Sequence, residues 1–217
     1  MSDIPDLPLR HEALAPRVAT PQPPLLIMLH GYGTNEEDLL QLAPYIPDQF
    51  QIVSFRAPFM LMPGANAWFE IDVAPGHIRG DVSQARDALH VLNESIDAAI
   101  QTYHTNPAAT FVMGFSQGGA MAGLVALSRS DICGAAILSG VNPFSLWQHT
   151  DSTGGPAELL VVHGSYDEVV PVAHGHDTRD TFIAHGFNVR YHEFPIGHTI
   201  DLRVIGTLAQ FLIEHTA

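Results

Sequence analysis

The fold is decided by one stretch of the chain, Gly114-Phe115-Ser116-Gln117-Gly118-Gly119-Ala120-Met121. It contains the pattern Gly-x-Ser-x-Gly between an apolar run of strand length, residues 110–114, and a helical pattern, residues 118–128. An isolated pattern of this kind is more often an ordinary glycine-rich turn, but between a strand and a helix it is typical of a nucleophile elbow. In such an elbow the backbone turns sharply and exposes the serine hydroxyl, and glycines prevent clashes at the turn. We therefore predict that Ser116 is a nucleophile.

Short apolar runs and longer helical patterns alternate along the rest of the chain. Strands are predicted at residues 25–30, 51–55, 110–114, 135–139, 159–163 and 189–194. Helices are predicted at residues 36–43, 82–103, 118–128, 172–185 and 199–215, the first of them with a capping box formed by Thr34 and Glu37. This alternation is typical of α/β folds. We expect a mostly parallel central sheet with helices on both faces and a functional crevice at the carboxyl ends of its strands.

The first predicted strand ends in His30-Gly31-Tyr32-Gly33, a loop suited to binding an oxyanion. In folds with a nucleophile elbow, one oxyanion donor is the main-chain N–H after the nucleophile and another comes from a loop of this kind. We assign these donors to Gln117 and Tyr32, because the positive end of the following helix also favours developing negative charge there. His30 belongs to the strand end, so we expect it to hold the loop rather than to act as a base.

A serine hydroxyl needs a base within hydrogen-bonding reach, and the base needs a carboxylate to orient it. In folds with this elbow the acid follows the serine in the chain, and the base follows the acid. Asp167 comes in the loop after the strand 159–163 and is the predicted acid. Glu168 is the alternative, because the sequence does not fix which of the two carboxylates faces inward. Asp151 lies further from a strand, in a segment typical of a turn.

The last predicted strand is followed by Pro195-Ile196-Gly197-His198, which makes His198 the predicted base. The chain has 13 histidines, so a histidine alone carries little information. Only His198 combines a loop after a strand with a position after the acid; His192 lies in a strand, and His174, His176 and His185 lie in or beside a helix. The pair His174 and His176 lacks a third ligand at a suggestive spacing, so we expect no zinc site.

The composition narrows the class of protein. The formal net charge is −14, and all nine basic residues are arginines. A lysine Schiff base and a P-loop lysine are therefore excluded, and we expect no binding of nucleic acid and no stable membrane insertion. Residues 1–24 lack the apolar run of a signal peptide, and the single Cys133 permits no internal disulfide, so we expect a cytoplasmic protein. We expect residues 1–217 to form a single domain with an N-terminal extension, 1–23, that has room for a short edge strand.

With these residues in place, the chain from about residue 24 onward resembles the phospholipase/carboxylesterase family of α/β hydrolases, which includes acyl-protein thioesterases. The most specific piece is the stretch around Ser116 quoted above. Supporting pieces are Leu29-His30-Gly31-Tyr32-Gly33, Arg56-Ala57-Pro58, Trp68-Phe69-Glu70-Ile71, His163-Gly164-Ser165-Tyr166-Asp167 and Gly197-His198. The resemblance implies an α/β-hydrolase fold without a large cap domain and a shallow, open site.

The resemblance also implies a triad of Ser116, Asp167 and His198, with oxyanion amides at Tyr32 and Gln117. It implies hydrolysis of carboxylic esters, lysophospholipids or acyl thioesters through an acyl enzyme, without a metal or cofactor, on a small-molecule substrate. Many relatives have a leucine in place of Tyr32 and an aspartate in place of Thr34, which makes the pocket mouth more polar here. A homodimer is compatible with the sequence.

Alternative functions remain open at this point. They are a lactone or dienelactone hydrolase, a serine peptidase on the same scaffold, and a binding protein that kept the fold without catalysis. An acyl groove is expected near Ser116, and its candidate walls are Trp68, Phe69, Met60, Leu61 and Met62 on one side and Phe144 and Trp147 on the other. Ordinary core packing is the competing interpretation for these side chains; it carries equal weight for Phe69 and less weight for Trp68.

Overall fold

The structure is a computed structural model and describes residues 5–74, 77–147 and 157–216. The strands in these ranges are β1 (His11–Leu14), β2 (Leu25–Leu29), β3 (Gln51–Phe55), β4 (Phe59–Met62), β5 (Ala65–Ala67), β6 (Ile71–Ala74), β7 (His77–Gly80), β8 (Thr110–Phe115), β9 (Gly134–Leu138), β10 (Glu158–Gly164) and β11 (Asn188–Phe194). The α-helices are α1 (Val82–Thr102), α2 (Gln117–Ser128), α3 (Ala173–Ala184) and α4 (Leu202–Glu214). Short 3₁₀ helices occur at Asp38–Tyr45, Pro107–Ala109 and Pro143–Ser145. Among the helices of these ranges, none combines the length and the apolar character that a membrane span needs.

Seven strands form the central sheet, in the order β1-β3-β2-β8-β9-β10-β11. Only β1 runs antiparallel to its neighbour, and the other pairs are parallel. All six predicted strands are present, with ends that differ by at most one residue from the prediction. The predicted parallel α/β sheet is therefore confirmed. The reason is that buried parallel strands are apolar on both faces and so are visible as continuous apolar runs.

The hydrophobic core has two parts, one on each face of the sheet. Helices α1, α2 and α3 pack on one face and alternate sheet residues such as Leu25, Ile27 and Leu29 point into that layer. Helix α4 and the 3₁₀ helix Asp38–Tyr45 cover the other face, into which Leu26 and Met28 point. Each fully buried side chain of this size contributes roughly 1.5–3 kcal/mol to folding. Helix α2 is buried from Gln117 to Leu127, so the element that follows Ser116 is rigidly held.

The first predicted helix is corrected by the structure. A 3₁₀ helix begins at Asp38 in place of an α-helix from residue 36, and the predicted capping box is wrong, because Glu37 makes no side-chain cap. The hydroxyl of Thr34 instead donates to the carbonyl of Gly31, at 3.1 Å. Glu36 is fully buried and accepts hydrogen bonds from Arg10 and Arg56. The ion pairs of the buried Glu36 with its two arginine partners, rather than local helix propensity, determine the conformation of this segment.

Two small hairpins, β4–β5 and β6–β7, lie between β3 and α1 and were absent from the prediction. The first is attached to the loop after β2, because the N–H of Gly33 donates to the carbonyl of Asn66 and the N–H of Asn66 donates to the carbonyl of Thr34. In the described ranges no insertion is larger than these hairpins, and none forms a cap domain. Helix α4 begins at Leu202, three residues later than predicted, because Asp201 caps it through the N–H groups of Arg203 and Val204.

Candidate active site

Ser116 lies at a sharp turn between β8 and α2, at the carboxyl end of the central strand. Its backbone has φ 56° and ψ −116°, a conformation that costs a non-glycine residue on the order of 1–3 kcal/mol. A Cβ atom at Gly114 would lie 1.9 Å from the carbonyl oxygen of Gly118, and one at Gly118 would lie 2.0 Å from that of Leu29. Both positions therefore require glycine, as the elbow pattern predicts.

Neighbouring backbone groups hold the strained turn in place. The N–H of Ser116 donates to the carbonyl of Leu138 on β9, at 2.8 Å. Its carbonyl accepts from the N–H groups of Gly119 and Ala120, at 3.0 and 3.2 Å. The turn is thus fixed by β9 on one side and by the first turn of α2 on the other, and the serine side chain projects from a rigid frame.

His198 and Asp167 form a hydrogen-bonded pair beside the elbow. The distance between His198 Nδ1 and Asp167 Oδ2 is 2.7 Å. The other oxygen, Asp167 Oδ1, accepts from the N–H groups of Val169 and Val170, at 3.0 and 2.8 Å. Because a carboxylate only accepts hydrogen bonds, the bond to His198 places a proton on Nδ1. The Nε2 atom of His198 then carries a lone pair and is able to accept a proton.

The loops that carry the acid and the base are tied to each other. The N–H of Ser165 donates to the carbonyl of Phe194, and the N–H of Tyr166 donates to that of Ile196, at 2.8 and 3.0 Å. The ring of Phe115, next to Ser116 in the chain, lies 4.7 Å from the ring of His198, measured between centroids. Asp167, and not its neighbour Glu168, is the carboxylate that is bonded to His198. Glu168 is exposed and lies at the edge of the cavity described next.

Ser116 and His198 line a cavity of about 500 Å³, called the first cavity below. Its apolar wall consists of Phe69, Ile71, Val141, Leu146 and Val169. Tyr32 and Gln117, the predicted oxyanion residues, line it as well. The N–H of Gln117 belongs to the first turn of α2, where a helix has no acceptor for it, and in the described part of the chain the N–H of Tyr32 donates to no acceptor either. Predicted residues from three separate loops, after β2, β8 and β11, thus line one cavity, and Asp167 is bonded to His198 outside the described lining.

The side chain of Gln117 has a role that the sequence did not indicate. It is buried, its Oε1 accepts from the N–H of Trp68 at 2.8 Å, and its Nε2 donates to the carbonyl of Phe69 at 2.6 Å. The indole N–H of Trp68 in turn donates to the carbonyl of His30. These bonds fix the segment from Trp68 to Phe69 against the elbow and position the apolar wall of the first cavity.

His30 is fully buried and holds the loop after β2, as expected from its place at the strand end. Its Nε2 accepts from the N–H of Ala57 at 3.0 Å, so the proton of the neutral ring is on Nδ1, which donates to the carbonyl of Gly31 at 2.7 Å. Burial lowers the pKa of this imidazole below its ordinary value. Both ring nitrogens are occupied, and His30 is not placed to act on a substrate.

A second buried histidine, His163, lies under the acid and was not singled out from the sequence. Its Nε2 donates to the carbonyl of Val170 at 2.8 Å and lies 3.7 Å from Asp167 Oδ2. Its Nδ1 is buried and has no hydrogen-bond partner among the described residues. Burial lowers the pKa of the imidazole. His163 therefore presents a neutral N–H toward the loop that carries Asp167.

The predicted acyl groove is corrected in most of its members. Trp68 is fully buried in the core, where its N–H is bonded to His30, so it cannot contact a substrate. The β4 residues Met60, Leu61 and Met62 are exposed on the hairpin and lie outside the described lining of the first cavity. Phe144 packs on Phe182 and Trp147 packs on the same core, and neither belongs to the described lining, although Ser145 and Leu146 between them do. Of the residues proposed as walls, Phe69 alone lines the first cavity within the described ranges.

The remaining polar candidates lie elsewhere. Nε2 of His176 lies 2.8 Å from an oxygen of Glu193 on β11, at the protein surface. Over residues 5–74, 77–147 and 157–216, no three histidine, cysteine or acidic side chains are grouped so as to hold a metal ion. Asp151 lies outside the described residues.

Several known proteins resemble this chain in sequence and in fold. The sequence model of the phospholipase/carboxylesterase family matches residues 15–216. The chain is 30% identical over 192 residues to a probable carboxylesterase of Oryza sativa subsp. japonica, covering 81% of each protein. It is 28% identical over 203 residues to a probable inactive carboxylesterase of the same organism, covering 83% of this chain and 80% of the relative. The crystal structure of esterase PE8 superposes with a TM-score of 0.82 at 27% identity, covering 95% of this chain and 99% of that one.

The family model covers nearly the whole chain, and the similarity to esterase PE8 extends over the central sheet and its covering helices. At the level of the family these findings support an esterase with an α/β-hydrolase fold. The chain belongs to the phospholipase/carboxylesterase family of α/β hydrolases.

Proposed function

We propose that the protein is a serine carboxylesterase that hydrolyses carboxylic esters through an acyl-enzyme intermediate. The observation that carries the proposal is the His198–Asp167 hydrogen bond of 2.7 Å in a site where His198 and the strained Ser116 line the same cavity. An imidazole oriented by a carboxylate is the base that a serine hydroxyl requires. The apolar wall of the first cavity suits an acyl chain.

In the first half of the reaction, Oγ of Ser116 attacks the ester carbonyl carbon while Nε2 of His198 takes the hydroxyl proton. The carbonyl oxygen becomes an oxyanion, which the N–H groups of Tyr32 and Gln117 stabilise together with the positive end of α2. The tetrahedral intermediate then collapses, the bond to the leaving oxygen or sulfur breaks, and the imidazolium of His198 gives that atom its proton. Asp167 keeps the imidazole in the required tautomer throughout.

In the second half, a water molecule attacks the acyl carbon of the ester formed on Ser116. His198 takes a proton from the water and returns one to Oγ as the carboxylic acid leaves. No group in this cycle is oxidised or reduced, and the proton balance is closed by His198 alone. The residues described above thus suffice for hydrolysis without a metal or cofactor.

Ser116→Ala tests the proposal directly. Hydrolysis of p-nitrophenyl butyrate should fall by about 10⁴-fold or more in kcat, because the remaining site only binds and polarises the substrate. Circular dichroism and the thermal midpoint should stay close to those of the wild type. A variant that folds normally and keeps normal activity would show that Ser116 is not the nucleophile.

A non-catalytic role is the alternative that one comparison brings forward, because a relative at 28% identity is described as inactive. The bonded pair of His198 and Asp167 favours catalysis in this chain. A fluorophosphonate probe should label the wild type and fail to label Ser116→Ala. A panel of short esters, acyl thioesters, lactones and aminoacyl amides then separates esterase from lactonase and peptidase activity; we expect turnover of the first two classes.

A further inference from the structure

A second cavity, of about 450 Å³, meets the first one at the proposed base. His198, Phe115 and Asp38 line both cavities. Ser116 and the two oxyanion residues line the first cavity and do not belong to the described lining of the second. The rings of His198 and Phe115, which lie 4.7 Å apart, therefore form a partition between the two spaces.

The position of the second cavity relates it to one part of an ester substrate. The acyl carbon must bond to Ser116 and its oxygen must reach the donors in the first cavity, so the acyl group belongs there. The leaving atom must lie next to His198, which supplies its proton. A space that opens at His198 and lacks the nucleophile is thus suited to the leaving group, and this assignment rests on the function proposed above.

The lining of the second cavity indicates what kind of leaving group it accepts. Leu39, Leu42 and Ile205 form an apolar floor, and all three are almost fully buried. Polar side chains stand at the rim: Asp38, Gln41, Tyr45 and Thr199. A ligand that fits both must combine apolar surface with a polar or charged group.

Asp38 is the charged member of the rim and faces the junction of the two cavities. It is half-buried, at the start of the 3₁₀ helix, and in the described part of the structure its carboxylate makes no hydrogen bond or ion pair. This differs from Glu36, two residues earlier, which two arginines neutralise. The aromatic ring of Tyr45 at the same rim is also attractive to a cation. Asp38 is therefore a free negative charge above an apolar floor.

We propose that the second cavity is a leaving-group site and that Asp38 selects alcohols or thiols that carry an alkylammonium group. The methyl or methylene groups of such a leaving group pack on Leu39, Leu42 and Ile205, while the positive nitrogen pairs with Asp38. Asp38 lines the first cavity only where the two cavities meet, and in this arrangement its carboxylate pairs with the leaving group and makes no bond to the reacting atoms. It is a specificity residue for the acylation half of the reaction.

A matched pair of substrates tests the selection. Butyrylthiocholine and S-(3,3-dimethylbutyl) thiobutyrate have the same acyl group and leaving groups of the same shape, of which only the first is charged. We expect the ratio of their kcat/KM values to favour the cation in the wild type and to fall about three- to fivefold in Asp38→Asn, as loss of one partly exposed ion pair implies. Glu37→Gln removes the same charge from an exposed neighbour outside both linings and should leave the ratio unchanged.

Several results would overturn the assignment. An unchanged ratio in Asp38→Asn, or an equal change in Glu37→Gln, would mean that Asp38 does not contact the leaving group. Both substrates yield the same butyryl enzyme, so a slower deacylation rate in Asp38→Asn would also contradict a role confined to acylation. If both substrates are turned over but the ratio of their kcat/KM values is the same in Asp38→Asn and in the wild type, only the leaving-group site is refuted. If the wild type neither turns over a substrate nor reacts with the fluorophosphonate probe, the proposed function is refuted.

A steric variant tests the location of the leaving group independently of charge. Gln41 is exposed at the rim of the second cavity, so Gln41→Trp should narrow it, with Gln41→Ala as the control. We expect Gln41→Trp to lower kcat/KM progressively as the leaving group grows, at constant acyl group. If instead the loss grows with acyl chain length at a constant leaving group, the second cavity holds the acyl chain and the proposal is wrong.

Discussion

Two regions of the molecule build the site, and they are held together in different ways. The catalytic edge consists of the loops after β8, β10 and β11, which carry Ser116, Asp167 and His198. The cover segment is residues 57–72, which supplies Phe69 to the first cavity. The edge is fixed by the backbone of the sheet. The cover is fixed by two backbone hydrogen bonds of Asn66 to the loop after β2 and by the side chains of Gln117 and His30, which bond to backbone groups of Trp68, Phe69 and Ala57.

Because the two regions are held in different ways, we expect substitutions in them to have different effects on the reaction and on substrate binding. A site that is fixed by the backbone of the sheet tolerates changes elsewhere in the protein, because many hydrogen bonds between the strands hold it in place. A segment held by a few buried side chains shifts when one of them is lost, since each buried polar partner that is left unpaired costs roughly 1–3 kcal/mol. We expect variants of the edge to abolish the reaction in a stable protein and variants of the cover to alter substrate binding and stability together.

The largest effect is expected at the edge, for Asp167→Asn. An asparagine presents its amide in place of the carboxylate, no longer fixes the proton on Nδ1 of His198, and should lower kcat by about 10⁴-fold with p-nitrophenyl butyrate. KM should change little. Glu168→Gln is the matched control, because this neighbour is exposed and not bonded to His198, and it should keep most of the activity. Equal losses in the two variants would contradict the assignment of Asp167.

The same difference explains what the sequence could predict. The six strands were found to within one residue because each is an apolar run, and the triad candidates followed from the order of loops along the chain. The cover segment has no such signature. Gln117 and Trp68 are 49 residues apart in the chain, and a local pattern does not indicate that they are bonded. For Trp68 the sequence favours the acyl groove over the core, and this prediction is wrong, because the indole is fully buried and its N–H donates to the carbonyl of His30.

The role of His163 and the 3₁₀ helix Asp38–Tyr45 are two further features that the sequence does not predict, for the same reason. His163 belongs to a motif used for its neighbour Asp167, yet its own contact with the acid loop appears only when β10 and that loop are folded together. The capping box failed because Thr34 found partners within its own loop. Sequence patterns predict structure reliably where local geometry determines it. They fail where a buried polar group bonds to residues that are distant in the chain.

An intermediate effect is expected for Gln117→Met, because the side chain of Gln117 joins the catalytic edge to the cover segment. Methionine keeps the main-chain N–H and much of the volume, but it leaves the N–H of Trp68 and the carbonyl of Phe69 without their partner. We expect the free energy of unfolding in urea to fall by about 2 kcal/mol. We also expect kcat/KM to fall about tenfold for long acyl esters and less for acetate, because the wall containing Phe69 shifts.

Gln117→Glu is a useful companion, because it preserves the acceptor for Trp68 and replaces only the donor to Phe69. It should lie between the wild type and Gln117→Met in acyl-chain selectivity. If Gln117→Met lowers kcat equally for all chain lengths and leaves stability unchanged, the side chain acts on the oxyanion site and does not position the cover.

The smallest effect is expected from the buried histidines, one in each region: His163 under the edge and His30 beside the cover. Burial lowers the pKa of both from the ordinary value of 6.5. The unfolded chain therefore binds more protons than the native protein just below pH 6.5, so the free energy of unfolding falls as the pH decreases through this range. For one such histidine the loss is at most about 1.4 kcal/mol per pH unit.

His163→Gln should flatten this dependence, because glutamine is able to donate to the carbonyl of Val170 but does not titrate. Urea unfolding at pH 7.5, 6.5 and 5.5 measures the slope, and His90→Gln, at an exposed position on α1, should leave it unchanged. The activity profile adds a second readout. Because glutamine keeps an N–H donor beside the loop that carries Asp167, we expect kcat near neutral pH to stay close to the wild-type value. An unchanged stability slope in His163→Gln would mean that this imidazole is not held neutral by burial.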